Sequence, residues 1–120
     1  MQQKGRILVV EPDDLILGLL ERWLGEAGYS VVVETPQKPG DAEEPQLVII
    51  DVPTPRSAEK IIKSVRALHA SPILLLSARL RRGTGSSHDV AHQLGVSKVL
   101  PKPFTREELL SAVQESIGGS

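Results

Sequence analysis

Chemically active side chains follow several of the apolar runs in this sequence. Glu11 and Asp13 come after ILVV, Asp51 after LVII, Ser77 after ILLL, and Lys102 after SKVLP. Carboxylates held close together repel one another, by roughly 4 kcal/mol for two charges about 4 Å apart at an effective dielectric near 20. If these residues meet in the folded chain, they form a site where negative charge is gathered and must be balanced by a lysine or a cation.

The apolar runs are typical of β-strands that are buried on both faces. They are short, rich in Val, Ile and Leu, and mostly do not alternate with polar residues. The predicted strands span residues 6–10, 30–34, 47–50, 72–76 and 97–100.

Helical patterns lie between most of these runs. Residues 14–27 carry an apolar stripe that stops at Gly28, and residues 57–70 carry a second stripe with Ser57 as a candidate N-cap. Residues 105–117 open with a capping box formed by Thr105 and Glu108. The predicted stripe of the first helix consists of Leu15, Ile16, Leu19, Leu20, Trp23 and Leu24.

The alternation of strands and helices predicts an α/β domain with a parallel sheet covered on both sides. In such doubly wound sheets, ligands bind at the carboxyl ends of the strands, where the strand order reverses. The acids, the Ser77 hydroxyl and the Lys102 amine all follow strands. We therefore expect them to converge on one edge of the sheet although they lie far apart in the sequence.

Length and composition bound the remaining possibilities. The chain has 120 residues, a formal net charge of −1 and no cysteine. One domain over residues 1–120 is expected, with 118–120 as a tail. The weak net charge argues against a nucleic-acid or membrane surface, and no apolar run approaches membrane-spanning length. A soluble, cytoplasmic protein is expected.

Four motifs in order give the chain a resemblance to a known family. They are VVEPDD, IIDVPTP with Asp51 and Pro55, LLLSA with Ser77, and LPKPF with Lys102. Over residues 5–117 the chain resembles the receiver domain of bacterial response regulators. The resemblance implies a flavodoxin-like fold, with five parallel strands in the order 2-1-3-4-5.

The resemblance also implies phosphoryl transfer to Asp51. A histidine kinase or phosphotransfer protein would donate the phosphoryl group, and the acyl phosphate would switch an output domain or a partner protein. Lys102 would pair with one phosphoryl oxygen and Ser77 would hydrogen-bond another. The expected function is a receiving module rather than an enzyme.

A magnesium ion belongs to the same implied site. Its ligands would be the Asp51 carboxylate, a carboxylate from Glu11 or Asp13, and the backbone carbonyl of Pro53. Pro12 stands where the family usually has the second acid of a pair, so weak magnesium binding is expected. Asp13 is alternatively the cap of the first helix.

Other departures from the family concern switching and the second helix. Val99 lies three residues before Lys102, where the family often has Tyr or Phe. Residues 79–87 lengthen the segment between Ser77 and Lys102, and we expect them to be mobile and to carry the switching that remains. Residues 35–46 contain three prolines and a glycine, so no full helix is expected there. The second helix of the family is thus reduced or missing.

Two further possibilities stay open at this point. The first is a pseudo-receiver, which would use the same fold as a protein-interaction platform without phosphorylation. A small flavodoxin-like enzyme has less support, because no flavin phosphate loop follows strand one. Thin cover over strands two and three would leave a face on which a partner or a second copy could pack as a homodimer.

Overall fold

Five strands and three helices make up the part of the chain that the structure describes. The structure is a computed structural model, and it describes residues 5–10, 13–34, 45–52, 58–77 and 95–118. In chain order the elements are β1 (Gly5–Val10), α1 (Asp14–Glu26), β2 (Tyr29–Glu34), β3 (Leu47–Val52), α2 (Ala58–Leu68), β4 (Ile73–Ser77), β5 (Lys98–Pro101) and α3 (Arg106–Gly118).

The strands form one parallel sheet in the order β2-β1-β3-β4-β5. This order confirms the prediction. The chain passes from β1 outward to β2 and then crosses back past β1 to β3, so β1 and β3 are the neighbours that flank the switch point. Their carboxyl ends therefore mark the place where a ligand site is expected.

The apolar runs are continuous because the sheet is buried on both faces. Successive side chains of a strand point to opposite faces. One face packs against α1 and α3, and its strand residues include Ile7, Val9, Leu47, Ile49, Leu74 and Leu76. The other face packs against α2, and its strand residues include Leu8, Val10, Val48, Ile50, Ile73, Leu75 and Val99.

The predicted stripe of α1 is wrong at one position. Ile16, Leu20 and Leu24 are buried at four-residue intervals, whereas Leu15 is 75% exposed. A helix advances about 100° per residue, so the residue before Ile16 in the first turn is turned away from the sheet. Leu68, the last residue of α2, is also exposed, although Ile62 and Val65 earlier in the helix are buried.

Capping interactions explain two of the helix boundaries. The capping box of α3 is confirmed: the Glu108 amide donates to Thr105 Oγ1 at 3.1 Å, and the Thr105 amide donates to Glu108 Oε1 at 2.9 Å. After α1, Gly28 has a φ of +100°, which favours glycine and lets the chain turn into β2.

Several predictions fall on residues outside the described ranges. They concern Ser57, the loop at 79–87 and residues 35–44; residues 45 and 46, which are described, are not helical. The predicted docking of a second copy over strands two and three stays a prediction. In the described ranges no helix has the length and apolar character needed to cross a bilayer.

Candidate functional site

Asp51 and Lys102 meet at the carboxyl edge of the sheet. Asp51 lies near the end of β3, and its side chain is 5% exposed. Lys102 Nζ lies 2.5 Å from Asp51 Oδ1, and the lysine side chain is 16% exposed. The structure therefore brings together two sequence-predicted site residues that are 51 positions apart. An ammonium in contact with a carboxylate gives the pair no net charge.

The backbone of Lys102 and the residues that follow it are fixed to neighbouring elements. Its amide donates to the Ser77 carbonyl at 3.0 Å, which continues the pairing of β4 with β5. The Lys102–Pro103 peptide bond is cis. Phe104 then packs edge-on against Trp23 of α1, with ring centroids 6.2 Å apart. The loop that carries Lys102 is thus fixed to the sheet and to α1.

Sequence reasoning missed the contact between Phe104 and Trp23. The chain has one Phe, one Trp and one Tyr, so each ring is an unusual feature of the sequence. Phe104 follows the LPKP motif directly, and this scarcity of rings was the signal that could have suggested a packing role. The contact anchors the site loop to α1.

Asp13 lies between α1 and Asp51. Its Oδ1 accepts a hydrogen bond from the Ile16 amide at 2.8 Å, so Asp13 is the N-cap of α1. Its own amide donates to Asp51 Oδ2 at 3.2 Å. Asp14 is the first residue of the helix, where an acid suits the positive end of the helix dipole. The capping prediction for Asp13 is confirmed, and its role as a metal ligand stays a prediction.

Ser77 is the last residue of β4 rather than the residue after it. It is fully buried and pairs with Val52 on one side and Pro101 on the other. Strand alternation assigns Ser77 to the face of Ile73 and Leu75, whereas Asp51 belongs to the opposite face. The hydroxyl role predicted for Ser77 stays a prediction.

Asp51 is the acid that the described ranges place inside the site. Carboxylate oxygen is the donor that magnesium prefers, so Asp51 fits the implied metal in chemistry. Glu11, Pro12 and Pro53 lie outside the described residues. Among the residues that are described, no group of three potential ligands of the His, Cys, Asp or Glu type is close enough to hold a metal. The rest of the predicted ligand set, a carboxylate from Glu11 or Asp13 and the Pro53 carbonyl, stays a prediction.

Val99 is buried in the core between the sheet and α2. Position 99, three residues before Lys102, often carries an aromatic ring in the resembled family. Here it carries a small valine side chain that packs inside the domain. Val99 contributes to stability here, and no ring at that position reports on the state of Asp51.

Sequence comparison finds relatives among transcriptional regulators, while no protein-family model matches the chain. The transcriptional regulatory proteins CpxR of Klebsiella pneumoniae subsp. pneumoniae (strain HS11286) and of Escherichia coli (strain K12) are each 28% identical over 92% of this chain. The chain spans about half the length of these curated relatives, 48% of each.

Solved structures with the same fold include response regulators. The chemotaxis response regulator CheY4 of Vibrio cholerae superposes with a TM-score of 0.71 at 24% identity, covering 93% of this chain and 98% of that one. A response regulator from Thermotoga maritima gives a TM-score of 0.73 at 20% identity, covering 94% of this chain and 97% of that one. The chain therefore has the fold of a response-regulator receiver domain.

Proposed function

We propose that this domain accepts a phosphoryl group on Asp51 and changes its interaction with an output domain or a partner protein. One observation carries the proposal: a buried carboxylate at the switch point of the sheet is paired with Lys102. A carboxylate in that place is held and charge-balanced, and it lies at the edge where doubly wound folds bind ligands.

The proposed reaction is a displacement at phosphorus. An oxygen of Asp51 forms a bond to the phosphorus of a phosphohistidine on a kinase or phosphotransfer protein. The P–N bond breaks, its electron pair stays on the imidazole, and that ring takes up a proton from solvent. The product is an acyl phosphate. Lys102 balances part of the charge of the transferred group, which is the main demand of such a reaction.

Magnesium belongs to this proposal as a bound ion held by Asp51, Glu11 and the Pro53 carbonyl. When bound, such an ion neutralises phosphoryl oxygens. The site also needs the chain's own cation, because a phosphoryl group adds negative charge beside Asp51. Pro12 offers no side-chain oxygen, so we propose that magnesium binds weakly and that Lys102 carries a large share of the charge balance.

The proposed partners follow from the same role. A histidine kinase or phosphotransfer protein would deliver the phosphoryl group, and an output domain or separate protein would respond to it. The domain itself would act as a receiver and not as an enzyme. The CpxR relatives are named as transcriptional regulatory proteins, which supports a response carried by an output domain or a separate protein.

Intact-mass measurement tests the proposal. The protein is incubated with acetyl phosphate and magnesium, beside the Asp51→Asn variant. We expect the wild type to gain the mass of one phosphoryl group and the variant to gain none. Equal labelling of both proteins would show a different acceptor. No labelling of the wild type, in conditions that label an ordinary receiver, would contradict the proposal.

A second candidate function is the pseudo-receiver, in which the fold binds partners without phosphorylation. Val99 favours it, because position 99 carries no aromatic ring that can respond to a modified Asp51. The two candidates differ in one measurable property. A pseudo-receiver binds its partner equally well with Asp51 or with Asn at position 51.

A further inference from the structure

We infer that Asp13 is a positioning residue for Asp51: its side chain caps α1 and thereby holds its own amide against Asp51 Oδ2. The expected effect of Asp13 on the rate of phosphoryl transfer rests on the proposed function. It assigns to Asp13 a role that needs no negative charge, in contrast to the metal-ligand role that the sequence left open.

The geometry ties Asp13 to α1 through two contacts. Its Oδ1 accepts from the Ile16 amide at 2.8 Å, and its carbonyl accepts from the Leu17 amide at 2.9 Å. The backbone of Asp13 is extended, with φ −75° and ψ 166°. In this conformation the side chain and the carbonyl are both committed to the helix, while the amide lies on the side that faces β3.

The amide of Asp13 then joins α1 to the carboxylate. Its bond to Asp51 Oδ2, at 3.2 Å, links residues that are 38 positions apart. Lys102 Nζ contacts the other oxygen, Oδ1, at 2.5 Å. Two donors from two different segments therefore hold the two oxygens, which fixes the rotation of the carboxylate about its Cβ–Cγ bond.

A fixed carboxylate is a better-placed nucleophile. Phosphoryl transfer depends on alignment of the attacking oxygen with the bond that breaks, so orientation of Asp51 contributes to its rate. With acetyl phosphate, an Asp51 oxygen forms the new bond to phosphorus, the P–O bond of the donor breaks, and acetate leaves with the electron pair. Loss of the cap would loosen the amide and widen the range of carboxylate orientations.

Substitutions at position 13 separate the cap from the charge. Asn and Ser are good N-caps without a negative charge, whereas Ala is a poor cap. We expect Asp13→Asn and Asp13→Ser to accept phosphoryl groups from acetyl phosphate within twofold of the wild-type maximal rate. We expect Asp13→Ala to be roughly fivefold slower, the factor to which the usual free energy of an N-cap corresponds, with half-saturation by the donor unchanged.

A matched control excludes a general loss of stability. Val113 is fully buried in α3 and lies in neither the cap nor the Asp51–Lys102 pair. Val113→Ala should destabilise the fold by at least as much as Asp13→Ala and leave the rate within twofold of wild type. Slow labelling of Val113→Ala would show that the rate follows stability, and it would overturn the inference. An equal loss of phosphorylation rate in Asp13→Asn and Asp13→Ala would instead show that the negative charge of Asp13 matters, and it would overturn the inference.

Hydrogen exchange of the residue 13 amide tests the same inference without phosphorylation. After correction for the intrinsic exchange rate of each sequence, we expect the amide to be similarly protected in the wild type and in Asp13→Asn. We expect it to be roughly fivefold less protected in Asp13→Ala and Asp51→Ala, the factor that corresponds to an N-cap of about 1 kcal/mol. Equal exchange in all four proteins would overturn the inference. If the wild type takes up no phosphoryl group, the proposed function fails, and this exchange comparison still decides whether the cap holds the amide.

Discussion

Replacing Lys102 by methionine removes the charged partner of a carboxylate that is 5% exposed. At the observed 2.5 Å separation and an effective dielectric near 20, the attraction is roughly 7 kcal/mol. Most of this attraction offsets the several kcal/mol that each ion loses on leaving water. The intact pair thus contributes little net stability, but an unpaired carboxylate in the same place is costly.

Breaking a buried ion pair on one side costs about 3–5 kcal/mol. The lower end of that range applies here, since the Lys102 side chain is 16% exposed and the Asp13 amide still donates to Asp51. We therefore expect Lys102→Met to lower the free energy of unfolding by about 3 kcal/mol, with a fall in Tm of roughly 10 °C. Urea titration at neutral pH, followed by circular dichroism, measures the change.

Lys98→Met is the matched control. Lys98 pairs with Glu115, but the two side chains are 37% and 58% exposed. An exposed pair contributes at most about 1 kcal/mol, so this variant should lose little. Adding Asp51→Asn to Lys102→Met should recover about 2 kcal/mol, because the unpaired charge is gone. A Lys102→Met variant that is as stable as Lys98→Met would contradict this expectation, and so would a double variant that Asp51→Asn makes less stable than Lys102→Met.

Three other predictions concern the helix caps, the core and the metal. Thr105→Ala should lower the free energy of unfolding by about 1 kcal/mol in urea titration, because it removes the cap of α3; an unchanged midpoint would contradict this. Leu20→Ala should lower the free energy of unfolding by about 2–5 kcal/mol and Leu15→Ala by less than about 0.5 kcal/mol, since Leu20 is buried and Leu15 is exposed. Equal losses in the two variants would place Leu15 in the core. Pro12→Asp should raise magnesium affinity in a metal titration, because it adds a carboxylate ligand; tight wild-type binding that survives Asp13→Ala would disprove the role given to Pro12.

The sequence was sufficient to predict how the site is brought together. Strand–helix alternation imposes a parallel sheet, and parallel strands place their carboxyl ends on one edge. Asp51 and Lys102 each follow an apolar run, so their meeting depended on topology and not on any detail of packing. The Thr105–Glu108 box was predictable because its two hydrogen bonds form within one turn of a helix.

The contacts of Asp13 show what the sequence could not provide. Every residue except proline has a backbone amide, so the donor that reaches Asp51 has no signature in residue type. The end of β4 was misplaced for a related reason: Ser77 is polar, yet the ladder to β3 and β5 continues through it. Leu15 was misassigned because an apolar residue at the edge of a stripe looks the same in sequence whether or not a partner covers it.

The central claim is that Asp51 is the phosphoryl acceptor, and borohydride reduction tests it at the level of the residue. Reduction of an aspartyl phosphate converts that side chain to the alcohol of homoserine, which peptide mass mapping then locates. After treatment with acetyl phosphate and magnesium, we predict homoserine at position 51 in the wild type and at no position in Asp51→Asn. Homoserine at position 13, or its absence from a wild type that has gained phosphoryl mass, would contradict the claim.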